Sequence, residues 1–232
     1  MSSVTCANLK IILVDDFSTS DAANEIHGLK DEFRHLDIVI ISGKFGSPGI
    51  ARNAGLNLVK DGWVAFWDSD DLPHPDLIFS EILKLDSQAK LLVGNYLTFQ
   101  GDDFICEEPI NRRPPRKIDI ALNPGLWRWV FQYSLISDLQ FSESKLGEDQ
   151  IFLARVLMKK QKMSKSVETF YNYQVNRPNS LTNSRVLDKK SEIRKSIKVL
   201  VILALKSKMY PMILAFLLRM CLTLFKETYH AH

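Results

Sequence analysis

Cysteine is scarce in this chain. The three present among 232 residues, Cys6, Cys106 and Cys221, lie far apart, form no CxxC pair with metal-ligand spacing, and leave one thiol over in any disulfide scheme. A reducing cytoplasm and no structural zinc follow as expectations. The 10 glycines and 9 prolines are too few for a collagen-like or low-complexity chain, and no internal repeat is visible. Long hydrophobic runs are also lacking. Within the apolar segment 194–226 the longest uncharged stretch is Met209 to Leu218, well short of the about 20 residues that a bilayer span requires. The N-terminus, Met1-Ser-Ser-Val-Thr-Cys6, has neither the positive region nor the apolar stretch of a signal peptide, so no export is expected. Five histidines form no HxxxH or HxH ligand pair inside the domain.

What is present is ample material for a core. Hydrophobic residues make up 46% of the chain, with 13 Phe, 6 Tyr and 4 Trp, enough for one domain or one and a half, which excludes disorder. The net charge of +3 hides an asymmetry: residues 1–187 hold 21 Lys+Arg against 24 Asp+Glu, while 188–232 hold nine against three. The basic residues of the tail sit among Leu, Ile, Val and Met instead of lining a groove with stacking aromatics, which argues against a nucleic-acid partner.

The first half alternates short apolar runs with helical spacing, the pattern of an α/β sheet. Strands are predicted at Leu9–Val14, Asp37–Ser42, Trp63–Trp67, Lys90–Phe99 and Ser166–Gln174. Helices are predicted at about 22–33, 49–59, 74–85, from Asn123 onward, and at 147–160, 188–207 and 210–228. A hairpin turn is expected at Gln100–Asp103, and the Pro- and Arg-rich segment 107–117 must be irregular. Gly43-Lys-Phe-Gly-Ser-Pro-Gly49 matches neither phosphate-loop pattern and is set aside.

Acidic residues fall where the predicted strands end: Asp15-Asp16, Asp68-Ser69-Asp70-Asp71 and Glu148-Asp149. In an open parallel sheet, ligands bind beyond the carboxyl ends of strands, so these groups are expected to converge. Carboxylates gathered without a cation repel one another, and Mg²⁺ or Mn²⁺ with its taste for hard oxygen ligands removes the conflict. The diphosphate of an activated donor is the natural partner of such an ion. A solvated acidic turn is the plainer reading of the DSDD segment taken alone.

Taken in order, VDDFSTSD, the ARNAGL segment, WVAFWDSDDLPHPDL, LGEDQIF and NRPNSLT resemble the motifs of family 2 glycosyltransferases over roughly residues 9–185. The resemblance implies a GT-A-like (Rossmann-like) fold, a mixed and mainly parallel sheet flanked by helices, over 1–187, with a helical extension over 188–232. It implies that Asp16, with Asp15, contacts the nucleotide base. Arg52 would lie near the nucleotide, with a surface helix arginine as the alternative. Asp68 would hold the ribose or assist the metal, Asp70 would ligate Mg²⁺ or Mn²⁺, and Asp71 would cap a helix. Asp149 would be the general base, with Glu148 as the second candidate. Arg177 and Ser180 resemble a loop that closes over the donor phosphates. Trp127 and Trp129 would at most offer one ring to the acceptor, core packing being the better reading.

The implied activity is transfer of a sugar from a UDP- or GDP-sugar to an acceptor hydroxyl, with inversion, in surface polysaccharide or glycolipid synthesis. Similar proteins begin with a further strand and helix; here only 14 residues precede Asp15, so that strand is expected to be missing. This keeps open a catalytically impaired remnant that binds nucleotide or serves as a membrane-docked partner. A nucleotidyltransferase is the third reading, without the Gly-rich basic loop it needs. The tail is expected either to lie on the inner face of the cell membrane through 194–226, near a lipid-linked acceptor, or to pack on the catalytic domain or a second copy in a homo-oligomer.

Overall fold

The computed structural model describes residues 9–100, 113–175, 188–208 and 210–229. The predicted hairpin turn and most of the Pro-rich segment lie outside these residues. The chain opens with β1 (Lys10–Asp16), α1 (Ser20–Glu32) and β2 (Asp37–Gly43), and the two strands pair in parallel over their full length, from Lys10 opposite Asp37 to Asp16 opposite Gly43. A parallel pair needs a crossover, and α1 supplies it. Next come α2 (Pro48–Leu56), β3 (Trp63–Ala65), the short β4 (Leu72–Pro73), α3 (Pro75–Ile82) and β5 (Leu91–Phe99). Then follow α4 (Lys117–Leu122), a 3₁₀ turn at Leu126–Arg128, β6 (Trp129–Gln132), α5 (Tyr133–Ile136), α6 (Glu148–Met158) and β7 (Met163–Gln174). Two long helices, α7 (Lys189–Lys206) and α8 (Pro211–Tyr229), close the chain.

Among the described residues the strands form two separate sheets. One is the β1–β2 pair; the other has the order β3-β6-β5-β7-β4, with β5 and β7 parallel and the other neighbours antiparallel. The larger sheet carries the core. Leu91, Val93, Trp129 and Phe131 pack against Ile151, Phe152 and Leu153 of α6, and Leu200, Ala204, Ile213 and Phe216 of the C-terminal helices belong to the same cluster. The β1–β2 pair is different: apart from Asp15 none of its residues is buried, and α1 buries none at all.

The segment after Asn123 departs from the predicted helix. Trp129, Val130 and Phe131 are all buried because β6 lies between β3 and β5 with both faces covered. A strand buried on both sides loses the alternation that distinguishes it from a buried helix, so its sequence carries no clear period. Trp127 stacks on Tyr171 at 4.9 Å and on Tyr173 at 5.3 Å, and Trp129 is buried with its indole N–H donated to the Pro124 carbonyl at 3.2 Å, so both tryptophans are packing residues. No helix among the described residues is long and apolar enough to cross a membrane.

Candidate active site

Helix α2 brings the acidic segments together. Ser47 caps its N-terminus by accepting from the Ile50 N–H, and Pro48 occupies the first turn, where its missing N–H is no loss. Asn53 then fastens the helix to the chain before α6: it donates to the Phe141 carbonyl at 3.1 Å and accepts the Phe141 N–H at 2.8 Å. One residue earlier, Arg52 donates through Nη1 to Glu148 Oε1 at 2.7 Å and through Nη2 to Asp68 Oδ1 at 2.8 Å. These two carboxylates, 80 residues apart in the chain, are joined by one guanidinium. Burial works against its charge, yet Asp68 and then Glu148 hold the Arg52 pKa above its ordinary value.

The DSDD turn is fixed from the far side by β7. The Tyr171 hydroxyl accepts the Asp68 N–H at 2.9 Å and donates to Asp71 Oδ2 at 2.7 Å, and the Gln174 N–H donates to Asp71 Oδ1 at 2.6 Å. Asp71 therefore does not cap α3, as the sequence suggested; His74 occupies that position, and Asp71 ties the acidic turn to the last strand. Burial, with smaller contributions from Asp70 and Asp68, raises the Asp71 pKa to about 6. Trp67 Nε1 and Asn172 Oδ1, both buried beside this turn, have no hydrogen-bond partner among the described residues.

Glu148 and Asp149 open α6 after Gly147, whose φ of +84° is a left-handed conformation that side chains rarely adopt. The space there is also closed: a Cβ on Gly147 would lie 2.7 Å from the Met220 terminal methyl and 3.1 Å from Ser196. The C-terminal helices hold this turn in place. Glu192 of α7 accepts the Lys145 N–H at 2.8 Å, Ser196 donates to the Leu146 carbonyl at 2.5 Å, and Gln150 reaches Met220 of α8. Burial pushes the pKa of both Glu148 and Asp149 upward, and their mutual repulsion adds to the shift at Glu148. Arg52 and Arg219 pull Asp149 the other way. The Tyr173 hydroxyl, raised by burial, also lies in the field of Asp71, Asp68, Asp70 and Asp149, so both acidic segments face one place.

The structure thus brings Arg52, Asp68, Asp70, Asp71, Glu148 and Asp149 together. Asp15 and Asp16 are engaged elsewhere at the ends of β1 and β2. Asp15 is buried and accepts the Ser18 N–H at 3.0 Å, which with the Ser18 hydroxyl holds its pKa low. Asp16 accepts from the Phe45 N–H at 2.6 Å and the Gly46 N–H at 3.0 Å, shaping the loop that leads into Ser47 and α2. Arg177 and Ser180 lie outside the described residues. Among the described residues no three His, Cys, Asp or Glu side chains could hold a metal ion by themselves. Tyr171, Tyr173 and Arg219 were missed in the sequence. The tyrosines alternate on a strand and read as ordinary β residues, and Arg219 sits in a helix whose pattern speaks only of packing.

Comparison with known proteins supplies the family. Residues 2–143 match the profile of glycosyl transferase family 2. The chain belongs to this family. It is 29% identical over 194 residues to glycosyltransferase GlyA of Streptococcus pneumoniae, and 26% identical over 177 residues to a poly(ribitol-phosphate) beta-glucosyltransferase of Bacillus spizizenii. These alignments cover 74% and 72% of the chain, and the chain spans 27% of the length of each relative. Its fold is that of GT-A enzymes. The Staphylococcus aureus TarS fragment crystallised with UDP-GlcNAc superposes with a TM-score of 0.66 at 16% identity, covering 84% of this chain and 56% of that one. A mannosyltransferase of Pyrobaculum calidifontis bound to GDP-Man and Mn²⁺ gives 0.57 at 13% identity, covering 92% and 64%.

Proposed function

We propose that this family 2 chain transfers a sugar from a nucleoside diphosphate donor to an acceptor hydroxyl, with Asp149 as general base. The observation that carries this reading is the Arg52 bridge. It occupies Glu148 and Asp68, and leaves Asp149, which accepts the neighbouring Gln150 N–H at 2.7 Å through one oxygen, with the other oxygen to take a proton. A half-buried carboxylate with a raised pKa is the stronger base, and a positioned base of this kind typically contributes about 10² to 10⁴ in rate. Direct displacement by the acceptor oxygen on the face opposite the nucleotide inverts the anomeric carbon.

Crowding at the DSDD turn fits a divalent cation. Asp68, Asp70 and Asp71 lie within four residues, and the raised Asp71 pKa registers their conflict with burial and with one another. Mg²⁺ or Mn²⁺ usually draws on one or two carboxylates, on water and on substrate phosphates, so the DSDD turn need not enclose the ion by itself. Asp70 is the ligand in this reading, with Asp68 assisting, and the bound ion would stabilise the charge on the departing diphosphate. In this reading Asp15 and Asp16 are assigned to the nucleotide base, and Arg177 and Ser180 to the donor phosphates. UDP-sugar is the first donor to test, given TarS with UDP-GlcNAc, and GDP-sugar the second; a surface polysaccharide or glycolipid is the acceptor suggested by relatives acting on poly(ribitol-phosphate) and in succinoglycan biosynthesis.

The test is release of UDP or GDP from a panel of sugar nucleotides with and without Mn²⁺. Asp149→Asn is expected to lower turnover about 10² to 10⁴-fold while the nucleotide still raises Tm, and Asp70→Ala to abolish the metal-dependent release. Nucleotide binding with no turnover from any donor, in wild type as in D149N, would favour the binding-only alternative.

A further inference from the structure

We propose that the tip where α6 and α7 end together docks on an anionic phospholipid surface. Helices α6 and α7 run side by side in one direction: Gly147 before α6 lies against Ser196, while Leu157 and Met158 at its end share a hollow of about 120 Å³ with the end of α7. Lys160, Lys206 and Lys208 line this hollow together with Ser207 and Tyr210. Two helices thus end at one tip, and three lysines gather around it.

Lysines at helix C-termini commonly satisfy the last carbonyls and complement the dipole. Here the chain itself does that work: the Lys160 N–H donates to the Leu157 carbonyl at 3.0 Å at the end of α6, and at the end of α7 the Ser207 N–H donates to Leu203 at 2.9 Å, the Lys208 N–H to Leu205 at 3.1 Å and the Ser207 hydroxyl to Ala204 at 2.9 Å. The side chains of Lys160, Lys206 and Lys208 make no hydrogen bond or ion pair among the described residues. Beside them the outer face of α7 presents Val201, Ile202 and Leu205, spaced to lie together, with Leu205 65% and Ile202 52% exposed. Leu200 and Ala204 on the opposite face are buried in the core, so the outer apolar residues are not needed to hold the helix down. Arg194 and Lys198 continue the same exposed stripe toward the start of α7.

An apolar strip flanked by unpaired cations suits acyl chains below phosphate headgroups. A second copy suits it poorly: a two-fold contact would set the same lysines against one another. The hollow lined by the three lysines offers a place for one phosphate, and each lysine near an anionic surface contributes about fivefold to partitioning.

Co-sedimentation of the full chain with vesicles tests this without donor or acceptor, so the result is independent of catalysis. Binding is expected at least tenfold stronger to phosphatidylcholine mixed with phosphatidylglycerol than to phosphatidylcholine alone, and weaker as salt is raised. The combined change Lys160→Glu, Lys206→Glu, Lys208→Glu should reduce it more than tenfold, and Ile202→Ser with Leu205→Ser several-fold. Both sets lie on exposed positions, and an unchanged Tm confirms that the variants fold. Equal binding to the two vesicles, or variants that bind like wild type, would overturn the proposal. So would a dimer abolished by the same changes without vesicle binding, or stabilisation by inorganic phosphate with no affinity for vesicles.

Discussion

At the scale of single residues, one arginine and one tyrosine organise the acidic groups. Arg52 keeps Glu148 from being a buried unpaired charge, and Tyr171 gives Asp71 a donor where burial would otherwise leave it poorly solvated. Asp71 still remains strained in its charged form, and stability should record it. With a folded pKa of about 6 against an ordinary 3.8, the folded protein holds a proton there that the unfolded chain has released. Stability from this group is therefore greatest below about pH 4 and declines as pH rises to about 6, and Glu148 and Asp149 act in the same direction. Asp71→Asn removes the charge and keeps one acceptor oxygen, which can meet the Gln174 N–H, while its NH₂ donates to the Tyr171 hydroxyl. Its Tm should exceed that of wild type at neutral pH, and the difference should shrink on acidification; parallel Tm curves across that range would contradict this account. The motif in the sequence pointed to Asp68, Asp70 and Asp149, but the tyrosine that supports them bears no motif, since a Tyr on a strand is an ordinary β residue.

At the scale of elements, α2 is the piece that everything else is measured from. Its close approach to the chain before α6 depends on Gly49, where a Cβ would sit 2.2 Å from the Ser142 carbonyl oxygen and 3.1 Å from Phe141 Cβ. The obstacle is backbone and cannot swing aside. Gly49→Ala should destabilise the protein by about 2 kcal/mol, within the usual range for overpacking, and displace Arg52 on the same helix. Gly28 on α1 meets nothing within 4 Å, so Gly28→Ala should instead add up to about 1 kcal/mol from helix propensity. Urea unfolding of the two variants decides it: equal effects would mean that the contact at Gly49 does not constrain the fold. The helix itself was legible from Ile50, Ala54 and Leu58. Its contact with residues 141–142 was not, because a glycine in a helix looks the same in sequence whether it faces water or another backbone.

At the scale of the molecule, the two sheets differ in how they are held. The larger is closed over by α6, α7 and α8, whereas β1 and β2 keep apolar residues such as Ile12, Leu13, Val39 and Ile40 only half-buried, and α2 rests on them through Gly55 against Val14 and Ile12. Parallel strands with continuous apolar runs are ordinarily covered on both faces. The β1–α1–β2 unit is thus expected to open before the rest, and amide hydrogen exchange should be clearly faster in β1 and α1 than in β5 and α6; uniform protection across the chain would refute this. The sequence by itself determined the α/β class, most strand and helix positions, the acidic segments and the family, because hydrophobic period, turn residues and short motifs are local properties of the chain. Only the tertiary structure decided that β6 is a strand, that Arg52 spends its charge on two carboxylates, and that the C-terminal helices hold the turn bearing Asp149. Each of these rests on residues distant in sequence meeting in space, and burial and electrostatic pairing act on that proximity.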